Sequence, residues 1–346
     1  MSNATVKGYA SKAMGQPLEP FIYEPPKLGE QEVRVSITHC GVCYTDIQGM
    51  EDHYGIVTFP FVPGHEIVGS VTEVGREVSG LKVGDRVGIG WQGRSCMKCE
   101  YCLQGEEQLC RDIDKCGTWE PYGGFATSVV VDGRFAYPLP DGMPSETAAV
   151  LMCAGISAYT PLRRYASNGL QKVGIIGVGG LGHLAIQFAR AFGGEVTAIS
   201  SSPEKKEQAL KFGADHFLLA EDQDAMLKAR LSFDLLVYTS HGTSDWTSLL
   251  YSLKTNGTLA VVGFPDNPLA FDPLELVVHQ FSLTGSFLGN REGMKEMLSF
   301  AQVHGIAPEV ELMPMSQANE AIRRVRENKA RYRIVLVNDM DARSID

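Results

Sequence analysis

The sequence lacks any unbroken apolar run of the roughly 18 residues that a membrane-spanning helix requires, so no transmembrane segment and no membrane partner are expected. Its first residues, Met1-Ser2-Asn3-Ala4-Thr5, lack a basic start followed by an apolar core. No secretory signal is therefore expected, and a soluble cytoplasmic protein is. Positive charge is also short. The formal net charge is −10, which argues against the basic face that nucleic-acid binding needs, although a local basic pocket remains compatible with it. No internal repeat or low-complexity segment stands out.

What is present is a chain of 346 residues, too long for one ordinary core and suited to two domains. Hydrophobic residues make up 44% and charged residues 21%, an ordinary soluble composition. The 37 glycines point to tight turns and close backbone approaches. Eight cysteines in a reducing compartment read as metal ligands or buried thiols before disulfides.

The first half reads as short strands punctuated by Gly and Pro, a β-rich domain. Val33, Val35 and Ile37 alternate with polar neighbours over 32–39, the signature of a half-buried strand. Further strands are expected over 67–74, after the turn at Gly84-Asp85, and over 125–131. Inside this region lies Cys96-x2-Cys99-x2-Cys102-x7-Cys110. Four thiolates this close in sequence complete a tetrahedral shell with no place for substrate, so the loop is expected to hold a structural zinc. Cys40 reads as a small buried residue at a strand end, and Cys116 as structural.

In the second half, the strand 172–177 runs into Gly177-x-Gly179-Gly180-Leu181-Gly182 and then a helix-period stretch. Such a turn brings backbone amides up to a pyrophosphate at the positive end of a helix. Strands are expected over 195–199, 216–219, 233–238, 257–263 and 281–286, mostly separated by helical stretches. Six strands in that pattern make a doubly wound parallel sheet, a Rossmann dinucleotide-binding domain. At the tip of the second strand, NAD enzymes carry a carboxylate for the ribose. This chain has Ser200-Ser201-Ser202-Pro203-Glu204-Lys205-Lys206 there. Hydroxyls and ammonium groups suit a 2′-phosphate, so NADP(H) is expected over NAD(H), although the serines could serve only to cap the next helix. Helices are expected over 294–303 and 318–325, a last strand over 334–337, and a frayed tail over 339–346.

Gly64-His65-Glu66-x2-Gly69-x5-Gly75, Gly84-Asp85-Arg86-Val87 and the four-cysteine loop resemble the zinc-dependent medium-chain alcohol dehydrogenases. Three finer features, Cys43-Tyr44-Thr45-Asp46, Phe61-Val62-Pro63-Gly64-His65-Glu66-Ile67-Val68-Gly69 and Leu151-Met152-Cys153-Ala154-Gly155, resemble the cinnamyl alcohol dehydrogenase branch. The resemblance runs from about residue 5 to 338. It implies a GroES-like catalytic domain over 1–153 and 290–346 around a cofactor domain over 154–289. It also implies a second, catalytic zinc held by Cys43, His65 and Cys153 with one position left open. Two thiolates and an imidazole suit that ion.

The resemblance assigns further roles. Asp46 is to fix the tautomer of His65, or else to cap a helix start. Glu66 is to approach the zinc transiently, or else to form a salt bridge behind it. Thr45 is to take the proton of the bound alcohol, and Arg333 is to reach the cofactor pyrophosphate, or else to be a surface charge. Two departures stand out. Gln48 occupies a position where many relatives carry a relay histidine, and an amide cannot act as acid or base. His53 or a water chain would then have to replace it. Tyr44 replaces a basic residue that contacts phosphate, which leaves more of the cofactor affinity to Lys205 and Lys206. Tyr54, Trp91, Trp119 and Phe287 are candidate pocket walls, favouring an aromatic or medium-chain aldehyde and its primary alcohol over a polyol. A homodimer is implied by resemblance alone. The rival readings are an NAD-dependent polyol dehydrogenase, a zinc-free quinone reductase, and a nucleotide sensor without turnover.

Overall fold

The computed structural model describes residues 5–166, 171–242 and 244–340. Residues 341–346 of the expected tail lie outside them. The described residues divide into two units, one holding the chain up to Cys153, Gly289–Gln302 and the residues from Pro308 on, the other Ala154–Leu288 and Val303–Ala307.

The first unit is built on β3 (Glu32–Val42), preceded by an antiparallel hairpin of β1 (Val6–Ser11) and β2 (Leu18–Tyr23). Along β3 the even-spaced Val33, Val35 and Ile37 are buried while their neighbours are not, as the alternation predicts. The chain then forms β4 (Glu66–Val74), β5 (Arg86–Ile89), β6 (Ser128–Asp132) and β7 (Ala136–Pro138). Burial of Val35, Ile67, Val71, Val87, Ile89 and Val131 between them joins one core, each side chain contributing about 1.5–3 kcal/mol.

The second unit carries six strands: β8 (Lys172–Ile176), β9 (Glu195–Ser200), β10 (His216–Leu219), β11 (Phe233–Tyr238), β12 (Leu253–Val261) and β13 (Ser282–Gly285). They form one parallel sheet in the order β10-β9-β8-β11-β12-β13. Strand order reverses at β8, where doubly wound sheets bind dinucleotides beyond the carboxyl ends of their strands. Val173, Ile175, Val196 and Val237 are fully buried, the continuous apolar pattern of strands covered on both faces.

The chain ends with β14 (Val310–Pro314), the helix Ala318–Arg326 and β15 (Arg333–Val337). The large sheet of the first unit then runs β14-β15-β3-β4-β5-β7, with β6 also paired to β3. β15 runs antiparallel to β3, with Ile334 opposite Val42, and β4 sets Glu66 opposite Gly41. The starts of β4 and β15 and the end of β3 therefore meet at one end of these three neighbouring strands. Asp339, expected to fray, is tied down by the Ser316 hydroxyl at 2.6 Å. No helix among the described residues is long and apolar enough to cross a membrane.

Candidate metal and cofactor sites

Cys43 leaves β3 and heads the helix Tyr44–Met50. One turn in, Asp46 swings its carboxylate back, and Oδ2 accepts the Cys43 N–H at 3.0 Å. Its Oδ1 accepts from Gly64 N at 2.9 Å and faces His65 Nδ1 at 2.9 Å. Asp46 thus bonds the head of the helix and the imidazole at once, a geometry compatible with both readings of it. Gly64 has φ +101°, and a Cβ there would lie 2.6 Å from the Phe125 ring, so only glycine brings His65 to this point.

Cys153 arrives from elsewhere, on the π-helical turn Leu151–Gly155 that follows the helix Ser145–Val150. Such wide turns commonly aim side chains at functional sites. Donor atoms of Cys43, His65, Glu66 and Cys153 all lie within 4.8 Å of one another, and all four residues are buried. With Nδ1 on Asp46, His65 Nε2 is buried and has no partner among the described residues. A buried imidazole nitrogen left without a hydrogen bond beside two thiols is what a metal ligand looks like. The Cys153 hydrogen bond holds the Cys43 thiol well below its ordinary value, against the effect of burial. Burial opposes charge on His65, but Asp46 and then Cys43 hold it well above the usual histidine range. The lowered value favours the Cys43 thiolate, the form in which a cysteine binds a metal.

The second cluster is Cys96, Cys99, Cys102 and Cys110. Four sulfurs about 2.3 Å from zinc would stand roughly 3.8 Å apart. Cys96 and Cys102 Sγ are 3.9 Å apart, and Cys99 and Cys102 Sγ 3.5 Å, far beyond a disulfide. Backbone N–H groups of Cys102 and Arg111 hold the Cys99 thiol at about 6. Cys40 is fully buried, and Cys116 is buried with its thiol on Asp112 O at 3.1 Å, as expected of structural residues.

In the second unit the glycine turn joins β8 to the helix Gly182–Ala191. Gly177 has φ +90°, and a Cβ on Gly182 would lie 1.8 Å from Gly177 O. A Cβ on Gly179 would meet nothing within 4 Å, which leaves the turn open to a phosphate. Ser200 ends β9, and its Oγ accepts the Ser202 N–H at 3.2 Å. Ser202 makes no side-chain capping bond, so capping does not occupy its hydroxyl. Ser201 and Lys206 are exposed, whereas Lys205 is only 9% exposed, more covered than a solvated lysine.

Residues 29–141 match the family model "Alcohol dehydrogenase GroES-like domain", and 180–302 match "Zinc-binding dehydrogenase". "Probable cinnamyl alcohol dehydrogenase 3" of Oryza sativa subsp. japonica is 39% identical over 338 residues, covering 95% of this chain and 92% of that protein. The chain belongs to the zinc-dependent medium-chain alcohol dehydrogenases. Solved structures agree. A cinnamyl alcohol dehydrogenase from Sorghum bicolor superposes with TM-score 0.90 at 36% identity, covering 96% of this dehydrogenase and 97% of that chain. The cinnamyl alcohol dehydrogenase of Helicobacter pylori, complexed with NADP(H), gives TM-score 0.87 at 30% identity, covering 98% and 99%.

In this dehydrogenase Arg333 is no surface charge. It is 6% exposed and its Nη2 donates to Glu66 Oε1. Burial raises the Glu66 carboxyl to about 7, against the pull of Arg333. Glu66 also belongs to the metal-side cluster, so its two expected roles are compatible. Among the candidate walls, the Trp119 ring meets His65 edge-on with centroids 5.3 Å apart, and Trp91 packs on Trp119 at 6.2 Å. Phe287 is exposed and belongs to the second unit. His53, named as a relay substitute, is exposed and lies edge-on to the Tyr54 ring.

Sequence reasoning missed three supporting residues. Thr239 closes the glycine turn, its hydroxyl donating to Ile176 O at 2.9 Å and lying 3.0 Å from Gly177 O. Gly41 leaves room for Glu66, since a Cβ there would lie 2.0 Å from Oε2. Tyr54, expected only as a wall, donates its phenol hydrogen to Gln48 Oε1 at 2.6 Å. No local pattern signals these three, because each partner lies on another element or across a loop.

Proposed function

We propose that this dehydrogenase interconverts primary alcohols and aldehydes with NADP(H), and that aromatic and medium-chain aldehydes are its substrate class. The carrying observation is the buried set of Cys43, His65 and Cys153, with an imidazole nitrogen that nothing else in the described chain engages. When bound, zinc polarises the substrate oxygen and the nicotinamide supplies the hydride chemistry. The chain's own residues do the rest. Cys43, His65 and Cys153 hold the metal, and Asp46 keeps His65 Nε2 available to it. Thr45, with Oγ1 3.5 Å from Cys43 Sγ, exchanges the proton of the substrate hydroxyl. Glu66 Oε2 has no hydrogen-bond partner among the described residues and would offer the metal a further oxygen donor. Trp119 and Trp91 offer flat apolar faces to an aromatic substrate and exclude water.

On the cofactor side, Gly177, Gly179, Gly180, Leu181 and Gly182 are assigned to the pyrophosphate, and Ser200, Ser201, Ser202 and Lys205 to the 2′-phosphate. NADP(H) in the H. pylori relative and the absence of a carboxylate at the tip of β9 support that choice. The pyrophosphate role expected of Arg333 stays in the proposal, since its guanidinium carries donors beyond the one given to Glu66. A homodimer along β13 is part of the reading: β13 is the terminal strand of its sheet, and the preceding helix Pro273–His279 exposes Leu274, Val277 and Val278. A cytoplasmic location suits eight unpaired thiols.

The test is the initial rate with cinnamaldehyde on zinc-assayed protein, NADPH against NADH. Turnover confined largely to NADPH supports the cofactor and substrate assignments together. A strong NADH preference overturns the serine-lysine assignment, and no turnover with either removes the aromatic substrate class.

A further inference from the structure

The glycine turn and Ser200, Ser201, Ser202 and Lys205 account for the pyrophosphate and the 2′-phosphate of NADP(H), which leaves the nicotinamide half. Dinucleotides lie across the crevice where strand order reverses, one half to each side. The 2′-phosphate belongs to the adenosine half, at the end of β9. The nicotinamide half then falls on the other side of β8, over the ends of β11 and β12. The segment leaving β11 is a wall of that crevice. Its Thr239 hydroxyl bonds to Ile176 O at 2.9 Å, and a Cβ on Gly177 would lie 3.1 Å from Ser240 Cβ.

This wall is exposed at Gly242, yet it is tied from two sides. Tyr238, fully buried at the end of β11, donates its phenol hydrogen to Gly242 O at 2.8 Å and accepts the Ser244 hydroxyl at 3.0 Å. From the segment after β12, Asn267 closes a two-bond clasp on the Ser244 backbone. Its Oδ1 accepts the N–H at 3.1 Å, and its Nδ2 donates to the carbonyl at 3.1 Å. The Asp266 N–H adds a bond to His241 O at 3.0 Å. Gly263 lets the two segments meet, since a Cβ there would lie 2.2 Å from Ser240 O. Asn267 is only half-buried, so what it supplies is this clasp more than packing.

We infer that Asn267 is a positioning residue for the cofactor: it holds the segment after β11 as a ready-made wall for the nicotinamide half, and takes no part in holding the adenosine half. Backbone ordered beforehand need not be ordered when the ligand binds, and the entropy saved appears as affinity. Without the clasp, the Ser244 N–H and carbonyl turn to water, and the wall must be fixed anew at each binding event. This inference rests on the proposed NADP(H) reading and deepens it.

The experiment compares two ligands on zinc-loaded protein: NADPH, and 2′,5′-ADP, which carries the adenosine half and its 2′-phosphate alone. Dissociation constants are measured by calorimetry for wild type and Asn267→Ala, with the melting temperature as a check on folding. Asn267→Ala is expected to weaken NADPH roughly tenfold, the effect of about two hydrogen bonds, and 2′,5′-ADP by less than about twofold. Tyr238→Phe removes the two phenol bonds to the same segment. It is expected to show the same split, and it decides the matter if Asn267→Ala does not fold. Unchanged NADPH binding in the folded variant overturns the inference alone. Equal weakening of both ligands also overturns it, since Asn267 would then support the whole unit and not one wall. Wild type that binds neither ligand overturns the NADP(H) reading and the inference with it.

Discussion

Asp46→Asn changes one oxygen to an NH2 and almost nothing in shape, yet Asp46 organises the whole metal side. Its carboxylate is fully buried and accepts Cys43 N–H, Gly64 N–H and the His65 Nδ1 contact at 2.9–3.0 Å. A carboxamide keeps one acceptor. Placed at the Oδ1 position it retains Gly64 and His65, and its NH2 then faces the Cys43 N–H, donor against donor. A buried donor left without a partner costs about 1–3 kcal/mol. Placed the other way it loses two contacts and turns an NH2 toward the imidazole, which favours the wrong tautomer. Both orientations damage the presentation of His65 Nε2, and lost outer partners of a metal-ligating histidine cost about 10–100-fold in affinity. The assay is competitive chelation of zinc together with urea unfolding. Asp46→Asn is expected to lose one zinc of two by about 10–100-fold in affinity and to unfold at lower urea, with Asp46→Ala worse in both. Wild-type zinc affinity and midpoint in Asp46→Asn would refute the reasoning.

Three other outcomes are expected. Cys43→Ser should halve bound zinc and abolish turnover, while Cys102→Ser should halve bound zinc and lower stability. Equal effects of both on turnover in correctly folded protein, read by near-ultraviolet dichroism, would contradict separate sites. Gly182→Ala places a methyl 1.8 Å from Gly177 O, so the turn must open. Cofactor affinity should fall at least about tenfold with zinc content unchanged, and wild-type affinity by calorimetry would count against the turn as the phosphate cradle. In metal-free protein one loop thiol should ionise at about 6, because backbone N–H groups depress Cys99 from its usual 9. The stability from that depressed value is complete above the ordinary thiol value and is lost as pH falls through about 6. Thiolate absorbance at 240 nm reads it, and no ionising thiol below pH 8 would refute it.

The cofactor unit was legible in the sequence because its strands are short apolar runs closed by turn residues. Those over 216–219 and 233–238 coincide with β10 and β11. β12 starts at Leu253, earlier than expected, since Lys254, Thr255 and Asn256 carry no apolar signal. In the first unit the hairpin of β1 and β2 stayed hidden behind Gly8 and Pro20, β7 is only three residues long, and β14 carries Glu311 and ends in Pro314. The four-cysteine loop was readable from spacing because its ligands are local. Cys43, His65 and Cys153 come from three distant elements, and only the family resemblance brought them together beforehand. Arg333 and Glu66 pair across β15 and β4, a contact that no sequence separation announces.

The account's central claim is one open site of two sulfurs and one imidazole beside a closed site of four sulfurs. Zinc K-edge absorption on the purified protein, with the metal counted, tests it most directly. The account predicts two zincs per chain with an average of about three sulfurs each, at roughly 2.3 Å, plus a nitrogen or oxygen shell. One zinc per chain surrounded by about four sulfurs would contradict it, leaving the loop as the only metal site and Cys43, His65 and Cys153 without the role assigned to them.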